Sequence, residues 1–148
     1  MTTTARAALQ ATIDTIESSY EFMLAYAAQG RDEEQAGAGP SIRRTLLALN
    51  AALDAFGTHA AAAGEVAAGE AVAGGDARAA FAGFLEVVRR DVTAARAAIR
   101  LVLAVPSIGS QLVDNLNASI HLRAVLTDLF LLDETLKSLA RAPGAAAG

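Results

Sequence analysis

The sequence predicts an all-α domain in which four amphipathic helices pack as an antiparallel, up-down-up-down bundle. Two observations predict this fold class. Apolar side chains recur at alternating spacings of four and three residues in four segments, and stretches rich in glycine, proline or polar residues separate those segments. No stretch of useful length alternates apolar and polar residues as a strand would. With 148 residues, 53% of them hydrophobic, the chain is expected to form one domain over residues 1–148.

The first predicted helix spans residues 3–30, and a polar loop follows at 31–40. Gly30 stands where a helix commonly ends, because glycine readily adopts the left-handed conformation that closes the last turn. The second predicted helix spans residues 41–63. The two apolar stripes are Leu9, Ile13, Ile16, Tyr20, Met23 and Ala27 in the first helix, and Ile42, Leu46, Leu49, Leu53, Phe56 and Ala60 in the second.

The third and fourth predicted helices span residues 76–105 and 110–140. Between the second and third helices, residues 64–75 consist mostly of alanine and glycine, so we expect a mobile linker there, with a helical extension as the alternative. We expect the tail, residues 141–148, to be frayed. The two stripes are Phe81, Leu85, Val88, Val92, Ala95, Ile99 and Val102, then Leu122, Val125, Leu129, Leu132, Leu136 and Leu139.

Five apolar residues lie away from these stripes: Phe22, Tyr26, Leu116, Ile120 and Phe130. The first two share one side of the first helix, and the others make the fourth helix apolar on a second side. A helix that is apolar on two sides is expected to be buried on two sides. We therefore expect these residues to form an interface with a protein partner, in particular a second copy of the chain. A core that is wide at this point, or covered by residues 64–75, is the alternative.

Polar residues on the fourth helix form a candidate ligand site or polar network. Asp114 and Asp128 lie seven residues before and after His121, and Asn117 lies one turn from it, so all four share one side of the helix. A nearby carboxylate would raise the pKa of a histidine. However, seven residues correspond to about 10 Å along a helix, which is too far for direct contact. A structural polar edge is therefore the simpler interpretation.

Arginines form a one-sided edge on the third helix. They flank its apolar stripe and are Arg78, Arg89, Arg96 and Arg100. The acidic residues Asp14, Glu17 and Glu21 of the first helix cannot easily pair with them if these two helices are diagonal in the bundle. The edge is interpreted either as a solvated rim or as a surface that faces an anionic ligand or partner.

Several classes of function find no support in the sequence. The chain has no cysteine, which excludes disulfides and thiolate chemistry. A di-iron bundle needs glutamate three residues before each histidine, whereas Phe56 precedes His59 and Ala118 precedes His121 at that spacing. The lysine and glycine that would follow a phosphotransfer histidine are missing as well. A net charge of −4 argues against nucleic acid as a partner. We therefore predict no catalytic residue, metal or cofactor.

The expected function is a non-enzymatic one, based on protein–protein contacts, as in an adaptor, an assembly factor or an accessory subunit. The apolar runs at 101–105 and 129–132 are too short to span a bilayer, and we expect a cytoplasmic protein. One alternative is a bundle that binds a small ligand or cofactor through His121 and its polar neighbours. Another is an amphipathic coat protein of lipid or polymer granules.

Overall fold

The computed structural model describes residues 2–34, 41–70 and 74–141, and the regular structure within these ranges is entirely helical. The five helices are α1 (Thr2–Ala28), α2 (Ile42–Glu70), α3 (Gly74–Leu103), α4 (Ser110–Ala118) and α5 (Ile120–Ala140). The predicted all-α class is confirmed, whereas the predicted number of helices is not. Parts of the predicted loop, linker and tail, at 35–40, 71–73 and 142–148, lie outside the described residues.

The core follows the predicted stripes closely. Every stripe residue of α2 is buried, and so are most of those of the other helices. The partly buried exceptions are Tyr20, Ala27, Leu85 and Leu139, of which Ala27 and Leu139 lie at the ends of their stripes. Burial of large apolar side chains at this spacing is the main favourable contribution to folding, at about 25 cal/mol per Å² of apolar area. The periodicity therefore identified the core correctly.

The boundaries of two helices differ from the prediction. α2 continues to Glu70, seven residues past its expected end, and α3 begins at Gly74. Alanine is the strongest helix former, and Ala63 and Ala68 are fully buried, so this extension has both local and tertiary support. Gly30 does adopt the expected left-handed conformation, with φ at 64°, just after the end of α1.

The predicted fourth helix is interrupted at Ser119, which separates α4 from α5. Ser119 has an extended backbone (φ −63°, ψ 142°), and its hydroxyl accepts a hydrogen bond from the Leu122 amide at 3.3 Å. A serine that caps a helix in this way offers the backbone an alternative to continuing the preceding helix. The predicted apolar stripe of this segment begins at Leu122, after the break, so the stripe carried no information about the backbone at Ser119.

The helices pack in a defined set of pairs. α1 packs against α2 and α4, α2 also packs against α3 and α5, and α3 also packs against α4 and α5. The ion pairs Arg78–Glu65 and Arg96–Asp54 show that α2 and α3 run in opposite directions. Within the described ranges, no helix combines the length and hydropathy needed to cross a membrane.

Candidate functional site

An apolar groove lies between α3 and α5 and is open to solvent. It has a volume of about 270 Å³. Its lining consists of Ala77, Ala80, Phe81 and Phe84 from α3 and Leu131, Leu132, Thr135 and Leu139 from α5. Leu131 is 54% exposed, and Val87, one turn from Phe84 on α3, is 40% exposed. The groove and these two side chains form an apolar surface that no described part of the chain covers.

Two carboxyl groups meet between the same two helices, one turn beyond the groove. Asp128 precedes Leu131 on α5, is 5% exposed, and lies in hydrogen-bonding contact with Asp91 of α3. Burial, together with the hydrogen bond and the charge of Asp91, raises the pKa of Asp128 to about 7. Its Oδ2 is fully buried and accepts no hydrogen bond from a described group. Protonation of Asp128 removes the repulsion between the two carboxylates and lets one carboxyl group donate to the other.

The five residues predicted to form an interface occupy different environments. Tyr26 and Leu116 are buried in the core of the chain itself, so they cannot contribute to an exposed surface. Phe22 is partly buried and stacks on Tyr26, with ring centroids 6.5 Å apart. Ile120 and Phe130 are 74% and 56% exposed, respectively. Tyr26 is buried because α4 covers this side of α1, which the apolar stripe of α1 alone could not indicate.

The four residues of the predicted polar network do not form one cluster. Asp114 and His121 are exposed, whereas Asn117 and Asp128 are buried. Asn117 donates to the carbonyl oxygen of Met23 in α1 at 3.2 Å, while Asp128 faces Asp91 in α3. The break at Ser119 ends the continuous helix on which the shared face was predicted.

The predicted arginine edge lies largely against α2. Arg78 pairs with Glu65, and Arg96 pairs with Asp54 at 2.6 Å and donates to Asn50 at 3.0 Å. Arg89 pairs with Glu86 of its own helix, and Arg100 is exposed. The paired arginines thus bind carboxylates of α2 and α3, and not the acidic residues of α1.

Between Arg89 and Arg96, α2 and α3 enclose a second, more polar groove of about 480 Å³. Gly57 and Thr58 of α2 and Thr93 of α3 also line it. This groove shares no lining residue with the apolar groove. Two residues of the predicted arginine edge, Arg89 and Arg96, border this common space.

A network of hydrogen bonds, not anticipated from the sequence, joins the loop after α1 to the loop before α4. The Glu34 carboxylate accepts from the Ile108 amide at 2.8 Å and pairs with Arg43 at 2.7 Å. Arg43 also donates to the carbonyl oxygens of Leu103 and Val105 at 2.8 and 2.9 Å. The hydrogen bond from Arg43 holds the pKa of Glu34 below its ordinary value. We call this set of contacts the loop network.

Two further bonds extend the loop network into the core. The Tyr26 hydroxyl donates to the carbonyl oxygen of Ile108 at 2.5 Å, and Ser110 Oγ donates to the carbonyl oxygen of Tyr26 at 2.7 Å. The two loops approach closely at Gly109, where an added Cβ would lie 2.9 Å from the carbonyl oxygen of Asp32. The network holds backbone groups in place at this end of the molecule.

The second histidine of the chain has a structural partner. His59 Nδ1 lies 2.6 Å from the hydroxyl of Thr12, which itself donates to the carbonyl oxygen of Ala8. This contact joins α2 to α1. Among the described residues, no three His, Asp or Glu side chains are placed to hold a metal ion.

Comparison with known proteins gives no relative from which a role could be transferred. No family model, no curated protein and no solved structure matches the chain. The candidate functional sites of the chain are therefore the two grooves and the residues that line them.

Proposed function

We propose that this chain acts without catalysing a reaction, as a docking module that pairs with a second copy of itself through the apolar groove between α3 and α5. The observation that carries the proposal is the groove itself, an apolar depression bordered by the exposed side chains of Leu131 and Val87. Exposed apolar area of this kind on a monomer favours association, because association removes it from water.

A second copy is a chemically suitable occupant, because the chain supplies both the depression and the projecting groups. In a two-fold dimer the same surface is used twice, so Leu131 of each copy would enter the groove of the other. Phe130, the next residue on α5, would then lie at the rim of the contact, with Ile120 nearer the start of the helix. An adaptor, assembly factor or accessory subunit would use this dimer as its working unit.

The same proposal includes the finer architecture expected from the sequence. We treat α4 and α5 as one interrupted member of an antiparallel four-helix bundle, since α4 packs on α1 while α5 packs on α3. This arrangement leaves one side of α5 uncovered next to α3, where the groove lies. A cytoplasmic location is also part of the proposal, and fractionation of cells that express the tagged chain would check it.

Sedimentation equilibrium of the purified protein tests the dimer directly. We expect a reversible monomer–dimer equilibrium, and we expect Leu131→Glu to weaken it at least thirtyfold. A charge buried at the centre of an apolar contact costs about 2 kcal/mol or more. Leu101→Glu is the matched control, because Leu101 is 72% exposed on α3 and does not line the groove.

The outcomes separate clearly. Dissociation by Leu131→Glu alone supports the proposal. A wild-type chain that stays monomeric at every concentration contradicts it, and so does equal weakening by both variants. Circular dichroism of each variant verifies that the helices are retained.

A further inference from the structure

We propose that the polar groove between α2 and α3 is a binding site for a small phosphorylated anion, held over Gly57 by the guanidinium groups of Arg89 and Arg96. The site shares no lining residue with the groove of the proposed dimer contact, so the two proposals are independent. Its chemistry is that of a diphosphate-like ligand. The groove of about 480 Å³ falls within the usual size of small-molecule sites.

Gly57 lies in the interior of α2 and borders the polar groove. Glycine there costs about 1 kcal/mol relative to alanine. The backbone does not require it, because Gly30 is the one described glycine with positive φ. Packing does not require it either, since an added Cβ would meet no atom within 4 Å. The effect of the missing side chain is to leave the floor of the groove open.

Hydrogen bonds to two side chains of α2 hold Arg96 in position. Its Nε donates to Asn50 and its Nη1 to Asp54, and its side chain is only 21% exposed. The guanidinium group is therefore fixed in place. These bonds do not involve Nη2, and Arg96 borders the groove. An orientated guanidinium loses little freedom when an anion binds, and planar bidentate contacts to phosphate suit it.

Arg89 supplies the second charge. It pairs with Glu86, three residues away on the solvent side of α3, and such exposed pairs contribute about 0.5 kcal/mol or less. Arg89 can therefore exchange this partner for a phosphate at small cost. Seven residues separate Arg89 from Arg96, which is about 10 Å along the helix axis. Two long side chains at that distance can converge on one ligand with two anionic groups.

The charge balance favours a specific site over general attraction. Arg89, Arg96 and Asp54 give the lining a net charge of +1, whereas the whole chain carries −4. The overall field of the protein repels anions, so any anion that binds does so through local contacts. The hydroxyl of Thr58 and the backbone near Gly57 border the same space and add polar contacts.

Isothermal titration with pyrophosphate at low ionic strength tests the site, with inorganic phosphate as the smaller probe. We expect pyrophosphate to bind more tightly than phosphate, because it can reach both guanidinium groups. Gly57→Leu fills the floor of the groove and should weaken pyrophosphate binding at least tenfold. Arg89→Gln should weaken it by a similar factor.

Gly83→Leu is the matched control. Gly83 is also inside a helix, is exposed, and an added Cβ there meets no atom within 4 Å, but it lies outside the groove. We expect this variant to bind pyrophosphate as the wild type does. The proposal is overturned if the wild type gives no binding heat with pyrophosphate, or if Gly57→Leu and Gly83→Leu behave alike. Neither result bears on the proposed dimer, which sedimentation equilibrium tests separately.

Discussion

Replacing Asp128 by asparagine should remove a specific pH dependence from the stability of this protein. Asp128 is the buried carboxyl that contacts Asp91 between α3 and α5, with a pKa of about 7 in the folded chain. In the unfolded chain its pKa returns to about 3.8. Asparagine has nearly the same shape and can donate an N–H to Asp91, but it never ionises.

The sign follows from which state holds the proton. Between about pH 4 and pH 7 the folded chain keeps the proton on Asp128, while the unfolded chain has released it. The free energy of unfolding therefore falls as pH rises through this window, by about 1.4 kcal/mol per pH unit. Above pH 7 both states are ionised, and the loss stays constant. A difference of about three units between the folded-state and unfolded-state pKa of Asp128 corresponds to a loss of about 4 kcal/mol in the free energy of unfolding.

The measurement is urea denaturation followed by circular dichroism at several values between pH 4 and pH 8.5. The difference in unfolding free energy between Asp128→Asn and the wild type should rise by about 4 kcal/mol across this range, in favour of the variant. Taking the difference cancels the titration of the groups that do not interact with Asp128. Asp114→Asn is the control, because Asp114 is exposed on α4. A difference for Asp128→Asn that is flat with pH would refute the reasoning.

Three further substitutions test other parts of the structure, each by urea denaturation at constant pH. Tyr26→Phe removes the buried hydroxyl bonded to the Ile108 carbonyl oxygen and should cost about 1–2 kcal/mol, whereas Tyr20→Phe should cost less; equal losses would contradict the burial described. Ser119→Ala removes the side-chain cap of α5 and should cost about 1 kcal/mol, with an unchanged stability counting against the cap. Arg43→Met keeps the aliphatic length but loses the bonds to Glu34 and to two carbonyl oxygens, and should cost about 2–3 kcal/mol at neutral pH. Arg43 lowers the pKa of Glu34 in the folded chain, so the Arg43–Glu34 pair stabilises the fold at pH values above the unfolded-state pKa of Glu34. This stabilisation is lost as the pH falls through the folded-state pKa of Glu34, so the cost of Arg43→Met should shrink in acid. A cost that does not change with pH would contradict this.

The sequence predicted well what depends on periodicity. Residues such as Leu46, Leu49 and Leu53 repeat at helical spacing, and burial follows directly because a helix has one dominant apolar face. The helix ends were less accessible. Alanine supports helix formation whether or not a neighbour covers it, so composition alone could not show that α2 continues past residue 63.

The candidate sites depended on contacts between helices, which periodicity does not contain. Asp128 was singled out for its distance from His121, yet its partner is Asp91, on another helix. Arg96 was placed on an edge, but its partners Asn50 and Asp54 lie on α2. Glycine spacing likewise could not show that Gly57 faces a groove. In each case the decisive fact is the relative rotation and register of two helices.

The loop network has a consequence for the order of folding. Apart from the Arg43–Glu34 pair, its bonds join residues 60 to 84 positions apart along the chain, whereas the contacts of α1 with α2 and of α2 with α3 join consecutive helices. Closing so long a segment is entropically unfavourable until the intervening helices have already assembled. We therefore expect these bonds to form late in folding. Weakening them should accelerate unfolding while leaving the folding rate nearly constant, so the lifetime of the native state should depend on this end of the molecule.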